Sequence, residues 1–188
     1  MFSKVRSILA VCVMYAAAIV GCFVLYPYLN IPGEVGQAIL LKVLLLDVIA
    51  TVFIFVLSCI FKNASIYDPY WSVAPIVMSI SFLYLSNNIN TWSIILVVLI
   101  CVWGVRLTIN WASRFNNLRH QDWRYTHFKE KYPKVYPLLN FFGIHLMPTI
   151  VVAVAMLPAF NFIGDVTKAG YEPSFMTIIG YLIIVFAI

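Results

Sequence analysis

Six apolar segments joined by short polar connections leave this chain few ways to fold. They run Ile8–Tyr28, Gln37–Phe61, Trp71–Leu85, Trp92–Ser113, Leu138–Phe160 and Ser174–Ile188. A helix needs about 20 residues to cross a 30 Å hydrocarbon core, and four of the six are long enough. Trp71–Leu85 is short, and the sixth meets the end of the sequence before it is complete. No alternating β pattern occurs, so helices are the way to satisfy backbone polar groups in lipid. Only 10% of the 188 residues are charged, against about 25% in soluble domains. The predicted fold is all-α: a polytopic transmembrane helical bundle of about six helices, the last one incomplete, with residues 1–188 as a single integral membrane domain.

Charge predicts the orientation. The 12 Lys and Arg residues outnumber 7 Asp and Glu, and they sit in short connections beside apolar spans. That pattern marks topology and not a nucleic-acid surface. With the N-terminus inside, the inner segments hold Lys4, Arg6, Lys62, Arg114, Arg119, Arg124, Lys129, Lys131 and Lys134, and the outer loops only Lys168. The N-terminus and the 114–137 loop are therefore expected in the cytoplasm. Lys4 and Arg6 could introduce a signal peptide, but the apolar run that follows exceeds the roughly 7–15 residues usual there, which favours a retained helix. Cys12, Cys22, Cys59 and Cys101 lie inside apolar runs, away from histidines at ligand spacing, so they read as small buried hydrophobes and no metal site is expected.

Ionisable and polar groups inside hydrocarbon mark pockets or polar interiors. Asp47 lies about 10 residues into the second segment, roughly 15 Å deep by helical rise. There it must be paired, hydrated or protonated. It is either a proton donor, or a group that grips a polar ligand end, or a structural partner of Arg106. On the fourth segment Arg106, Asn110 and Arg114 recur at i, i+4, i+8 and share a face. They suit a phosphate or carboxylate clamp; the plainer role is anchoring at the cytoplasmic end. This face leads to Asp122-Trp123-Arg124-Tyr125, where Trp123 and Tyr125 offer stacking surfaces and Arg124 a phosphate contact. The alternative there is an amphipathic stretch at headgroup level.

Asn63-Ala64-Ser65-Ile66-Tyr67-Asp68-Pro69-Tyr70-Trp71 opens the third segment. Asp68-Pro69 suits a helix start, a capping carboxylate followed by a residue that needs no donor. That leaves the crowding of Asn63, Ser65, Tyr67, Tyr70 and Trp71 unexplained. His120, His127 and His145 are scattered, and only His145, near a helix-kinking Pro148, keeps a candidate role. No phosphate loop, dinucleotide fingerprint, HExxH or GxSxG occurs.

Asn63, Ser65, Asp68 and Trp71, with Arg106, Arg114 and Asp122-Trp123-Arg124-Tyr125, resemble the uncharacterised bacterial branch of the steroid 5-alpha-reductase-like membrane family. The resemblance covers the chain from about residue 40 onward. It implies a helical reductase in the bacterial inner (plasma) membrane that uses NADPH to reduce a carbon–carbon double bond conjugated to a carbonyl. Its substrate would be a hydrophobic small molecule, steroid- or lipid-like. Carried onto this chain, it implies a proton donor in Asp47 or Tyr67. Cofactor contacts would come from Arg106, Asn110, Arg114, Asp122, Trp123, Arg124 and Tyr125, and Asp68 and Trp71 would line the substrate pocket. The family's Arg-His-Pro-x-Tyr nucleotide motif is absent, so the chain is expected to be the N-terminal part of a longer family domain.

Two rivals remain. A membrane methyltransferase using S-adenosylmethionine shares the architecture. A non-enzymatic lipid-binding protein would instead pair Asp47 with Arg106 in a dry interior. The reductase predicts a cavity between the second, third and fourth helices, with Arg106, Asn110 and Asp122 directed into it.

Overall fold

The structure, a computed structural model, describes residues 3–87, 89–165 and 173–188; Lys168, the expected outer charge, lies outside the described residues. Each apolar segment forms a helix: α1 Lys4–Leu25, α2 Val35–Ile60, α3 Tyr70–Leu85, α4 Thr91–Arg114, α7 Met147–Asp165 and α8 Phe175–Ala187. Between α4 and α7 come α5 (Trp123–Lys131) and α6 (Tyr136–Leu138), then a π-helical turn, Leu139–Leu146. Four stretches are long and apolar enough to cross a membrane: Lys4–Tyr28, Val35–Ile60, Thr91–Arg114 and Tyr136–Gly164. These are the four expected from length, and the fold is the all-α membrane bundle predicted. Large side chains such as Val13, Ile109 and Leu182 point outward, as they do where the surroundings are lipid.

Helix ends follow local chemistry. Ser3, Asn90, Asp122 and Ser174 each cap a helix by accepting from a backbone N–H in its first turn, as short polar side chains do. Asp68 does not cap α3. Pro69 stands at that position, and the Asp68 carboxylate is drawn away by a hydrogen bond from Tyr125. Pro148, expected to kink its helix, lies in the first turn of α7 directly after the π turn. Lacking a donor, it cannot continue the preceding α ladder, and the wider π turn accommodates it.

In lipid, helices associate through close packing of small residues and through hydrogen bonds. The α3–α4 seam uses both. Gly104 lets the backbone of Ser72 approach closely, and one turn on the Ser72 and Thr108 hydroxyls lie 2.9 Å apart. The start of α1 meets the end of α4, where Lys4 Nζ donates to the Ser113 carbonyl at 2.6 Å. The N-terminus and the 114–137 loop therefore share one end of the bundle.

Candidate functional site: two cavities and a tyrosine wall

The polar end of the bundle is organised by the turn Asn63–Asp68. The Asn63 amide donates to the carbonyls of Leu118 at 2.8 Å and His120 at 3.2 Å. Gln121 Oε1 accepts from the Ala64 N–H, and Ser65 Oγ accepts from the Asp122 N–H at 2.8 Å. Tyr125 then donates to Asp68 Oδ1 at 2.5 Å. These contacts hold the loop after α4 against the start of α3. Asn63 and Ser65 are buried in the latch and position the loop.

Above the latch opens a cleft of about 600 Å³. Asp68, His120, Asp122, Arg124 and Tyr125 line its polar end, joined by Asn110 and Arg114 from α4. Deeper walls come from Leu107, Ile144, Pro148, Val151 and Val152, with Trp71 and Trp111 between. Arg124 meets Asp122 through two hydrogen bonds, at 2.9 and 3.2 Å, and this contact holds the Asp122 carboxyl below its ordinary range. Arg114 has no acidic partner among the described residues. Burial pushes the Asp68 carboxyl up to about 6, against the opposing pull of the Tyr125 hydrogen bond and the Arg124 charge. Burial, followed by the neighbouring Asp68 charge, pushes the Tyr125 phenol up as well.

Asp47 belongs to a second, smaller cavity of about 170 Å³ between α1, α2 and α3. Its lining is almost wholly apolar. Among its few polar groups is a carboxyl–phenol pair: the Tyr70 hydroxyl donates to Asp47 Oδ1 at 2.7 Å and reaches the Asp47 carbonyl at 2.8 Å. Between the cavities stand two tyrosine rings, Tyr67 and Tyr70, stacked with centroids 5.0 Å apart and planes 18° from parallel. Tyr67 lines the cleft and Tyr70 the apolar cavity. The Tyr67 hydroxyl lies 2.7 Å from Thr149 Oγ1, which lies 2.7 Å from Thr51 Oγ1. His145 packs its ring 4.6 Å from Tyr67.

Of the expected residues, the cleft gathers Tyr67, Asp68, Trp71, Asn110, Arg114, Asp122, Arg124 and Tyr125. Three do not join it. Arg106 is exposed and lines neither cavity. The face of α4 toward the cleft is Leu107, Asn110, Trp111 and Arg114, and at about 100° per residue Arg106 sits a quarter-turn away. Trp123 is 75% exposed on the opposite side of α5 from Tyr125. Asp47 pairs with Tyr70, so neither the predicted Asp47–Arg106 pair nor one cavity shared by Asp47 and the arginines forms. The cleft lies between α3, α4, the latch loop and the π turn with α7, and α2 takes no part in its lining. Sequence reasoning missed the role of Tyr70, whose partner is 23 residues away on another helix, and of Thr149. Thr51 had a visible signal, lying one turn after Asp47 on the same face of α2.

Residues 54–188 match a family described as a protein of unknown function, DUF1295, which is associated with steroid 5-alpha-reductase-like proteins. Uncharacterized protein C594.04c of Schizosaccharomyces pombe is 29% identical over 104 residues, covering 53% of this chain and 30% of its own length. The chain thus spans less than a third of that relative. No solved structure matches. The family match takes in the latch, the tyrosine wall and the cleft lining, and covers well over half of the sequence: the chain belongs to the DUF1295 family.

Proposed function

We propose that this protein is a membrane reductase that adds two hydrogens across a conjugated carbon–carbon double bond of a steroid- or lipid-like substrate, with NADPH as the reductant. The observation that carries this is the Asp47–Tyr70 pair in the lining of an apolar cavity, divided from a polar cleft by two stacked tyrosine rings. Reduction of an enone needs a hydride at the β-carbon and an acid at the carbonyl oxygen. The two cavities supply the surroundings those partners need, one apolar with a single acid and the other polar with cations and ring faces, and direct hydride transfer requires Tyr67 and Tyr70 to part so that the two cavities join.

The cleft suits the cofactor in its chemistry. Arg114 and Arg124 offer positive charge to phosphates, and Trp71, Trp111 and Tyr125 offer planar surfaces. Bound there, NADPH supplies the hydride. The chain's own residues supply the acid. With Asp47 protonated, the Tyr70 O–H stays on Oδ1 and the carboxyl proton is free to bond a carbonyl oxygen. A proton given up to the developing enolate leaves a carboxylate that the Tyr70 O–H stabilises. We place residues 1–188 in one membrane domain with its N-terminus and the latch loop in the cytoplasm, in keeping with the positive charge there.

The test is turnover of NADPH by the full-length protein with a panel of enone lipids. Substrate-dependent oxidation is expected, and D47N is expected to lower it about 10²-fold or more, the usual scale for losing a general acid. No oxidation across the panel would refute the reductase, and methyl transfer from S-adenosylmethionine to the same lipids would replace it.

A further inference from the structure

Five buried oxygen-bearing side chains run in sequence from the cleft to the apolar cavity. Tyr67 lines the cleft, and its hydroxyl is 2.7 Å from Thr149 Oγ1. Thr149 is 2.7 Å from Thr51 Oγ1. Thr51 follows Asp47 by one turn on the same face of α2, and the Tyr70 hydroxyl comes to that turn from α3, reaching the Asp47 carbonyl at 2.8 Å and donating to its carboxylate at 2.7 Å. All five are buried, with Thr51 at 0% exposure. Hydroxyls are unusual in carrying both a donor and an acceptor, so such a row can pass a proton along, whereas one of amides or aliphatic groups cannot. A buried threonine in a membrane helix ordinarily satisfies itself on the carbonyl one turn back. Thr149 has that option, donating to the His145 carbonyl at 3.0 Å, and yet its oxygen also meets two further hydroxyls.

We propose that Tyr67, Thr149, Thr51 and Tyr70 form a proton wire that recharges Asp47 from the cleft. One proton enters at the Tyr67 oxygen from cleft water. The Tyr67 proton passes to Thr149, that of Thr149 to Thr51, that of Thr51 to Tyr70 when the Thr51 hydroxyl turns toward α3, and that of Tyr70 to the Asp47 carboxylate. Each O–H breaks as the next forms, so every hydroxyl ends as it began and Asp47 gains one proton. The Thr149 hydrogen turns from the His145 carbonyl toward Thr51 to open the wire. The purpose of the wire rests on the reductase reading, since a buried acid facing an apolar cavity fires once unless it is resupplied. Its geometry does not. Thr51 and Thr149 are positioning residues that touch neither substrate nor cofactor.

Infrared spectroscopy of the full chain in nanodiscs tests the wire without substrate or cofactor. The carboxylic C=O band that disappears in D47N is followed after transfer to D₂O, at mildly acidic pH. T149V and T51V are each expected to slow its exchange about tenfold or more, because exchange then waits on local opening; T149S, which keeps the hydroxyl, is expected to restore it. Exchange as fast in both valine variants as in the wild type overturns the proposal, as does the lack of any D47N-sensitive carboxylic band. If exchange slows as expected but no enone lipid is reduced, the wire stands and the reductase falls. In an active enzyme, T149V is further expected to enlarge the solvent isotope effect on kcat and leave KM for NADPH unchanged.

Discussion

Replacing Gly104 by alanine strikes a close contact between α3 and α4. A Cβ at that position would lie 2.5 Å from the Ser72 carbonyl oxygen and 2.7 and 2.8 Å from two carbons of Ile76. Ordinary carbon–oxygen contacts begin at about 3.3 Å, so α3 and α4 must part by about 0.8 Å at the crossing. Overpacking of this kind costs about 1–3 kcal/mol, while alanine gains about 0.5–1 kcal/mol over glycine within a helix. The net expectation is a loss of up to about 2.5 kcal/mol, about 1 kcal/mol at the midpoints of the two ranges, in reversible unfolding from mixed micelles. Adding Ile76→Ala should recover only part of it, because the nearest atom is backbone and cannot be trimmed. Gly21 makes the control: nothing lies within 4 Å of its would-be Cβ, so Gly21→Ala should be neutral or stabilising. A Gly104→Ala protein as stable as the wild type would refute the close α3–α4 approach, and with it the position of the cleft wall that α4 carries.

Three further outcomes are expected. Asn63→Ala strands two carbonyls of the latch and should lose about 1–3 kcal/mol, with faster amide exchange across residues 116–125 as its local signature. Asp68 adds a pH dependence: its carboxyl is raised from 3.8 to about 6 by burial, so the fold holds this proton more tightly than the unfolded chain does. The stability this contributes is fully present below pH 3.8 and lost as pH rises through about 6. Asp68→Asn still offers Tyr125 an acceptor, so it should flatten about 1–2 kcal/mol of the decline between those limits, after allowance for partial exposure. Finally, Arg114→Gln should weaken NADPH binding by calorimetry about tenfold or more, since hydrogen bonds to charged groups are worth about 1.5–3 kcal/mol; Arg106→Gln, outside the cleft, should leave it unchanged.

Apolar run length was enough to place every long helix here, because in lipid the backbone has no other way to satisfy itself. The candidate site was legible in its parts and not in its arrangement. Spacing correctly put Asn110 and Arg114 on a common face of α4, but a face is about 100° wide or more and Arg106 fell at its edge, turned away. Burial alone flagged Asp47. Its partner came from a tyrosine whose position depends on how α3 packs against α2, which periodicity does not encode. The helix-start signal at Asp68-Pro69 failed for a related reason. A carboxylate can cap a helix or receive a tertiary hydrogen bond, and the latch brings Tyr125 close enough to take it.

The stretch Asn63–Trp71 looked overcrowded in sequence because it serves three neighbours at once. Asn63 and Ser65 turn toward the loop after α4 and hold it. Tyr67 and Tyr70, three residues apart, stack as the wall. Asp68 and Trp71, again three apart and one residue further round, line the cleft. This division works only in one register, since each residue turns the chain by about 100°. Inserting one alanine between Asp68 and Pro69 keeps every side chain and yet shifts Tyr70 and Trp71 round the axis. Tyr70 would leave Asp47, and Trp71 would leave the cleft. The insertion should therefore abolish both enone reduction and the fast exchange of the Asp47 carboxyl while leaving the latch hydrogen bonds of Asn63 and Ser65 in place. Retention of fast exchange would mean that Asp47 draws its proton by some route other than Tyr70.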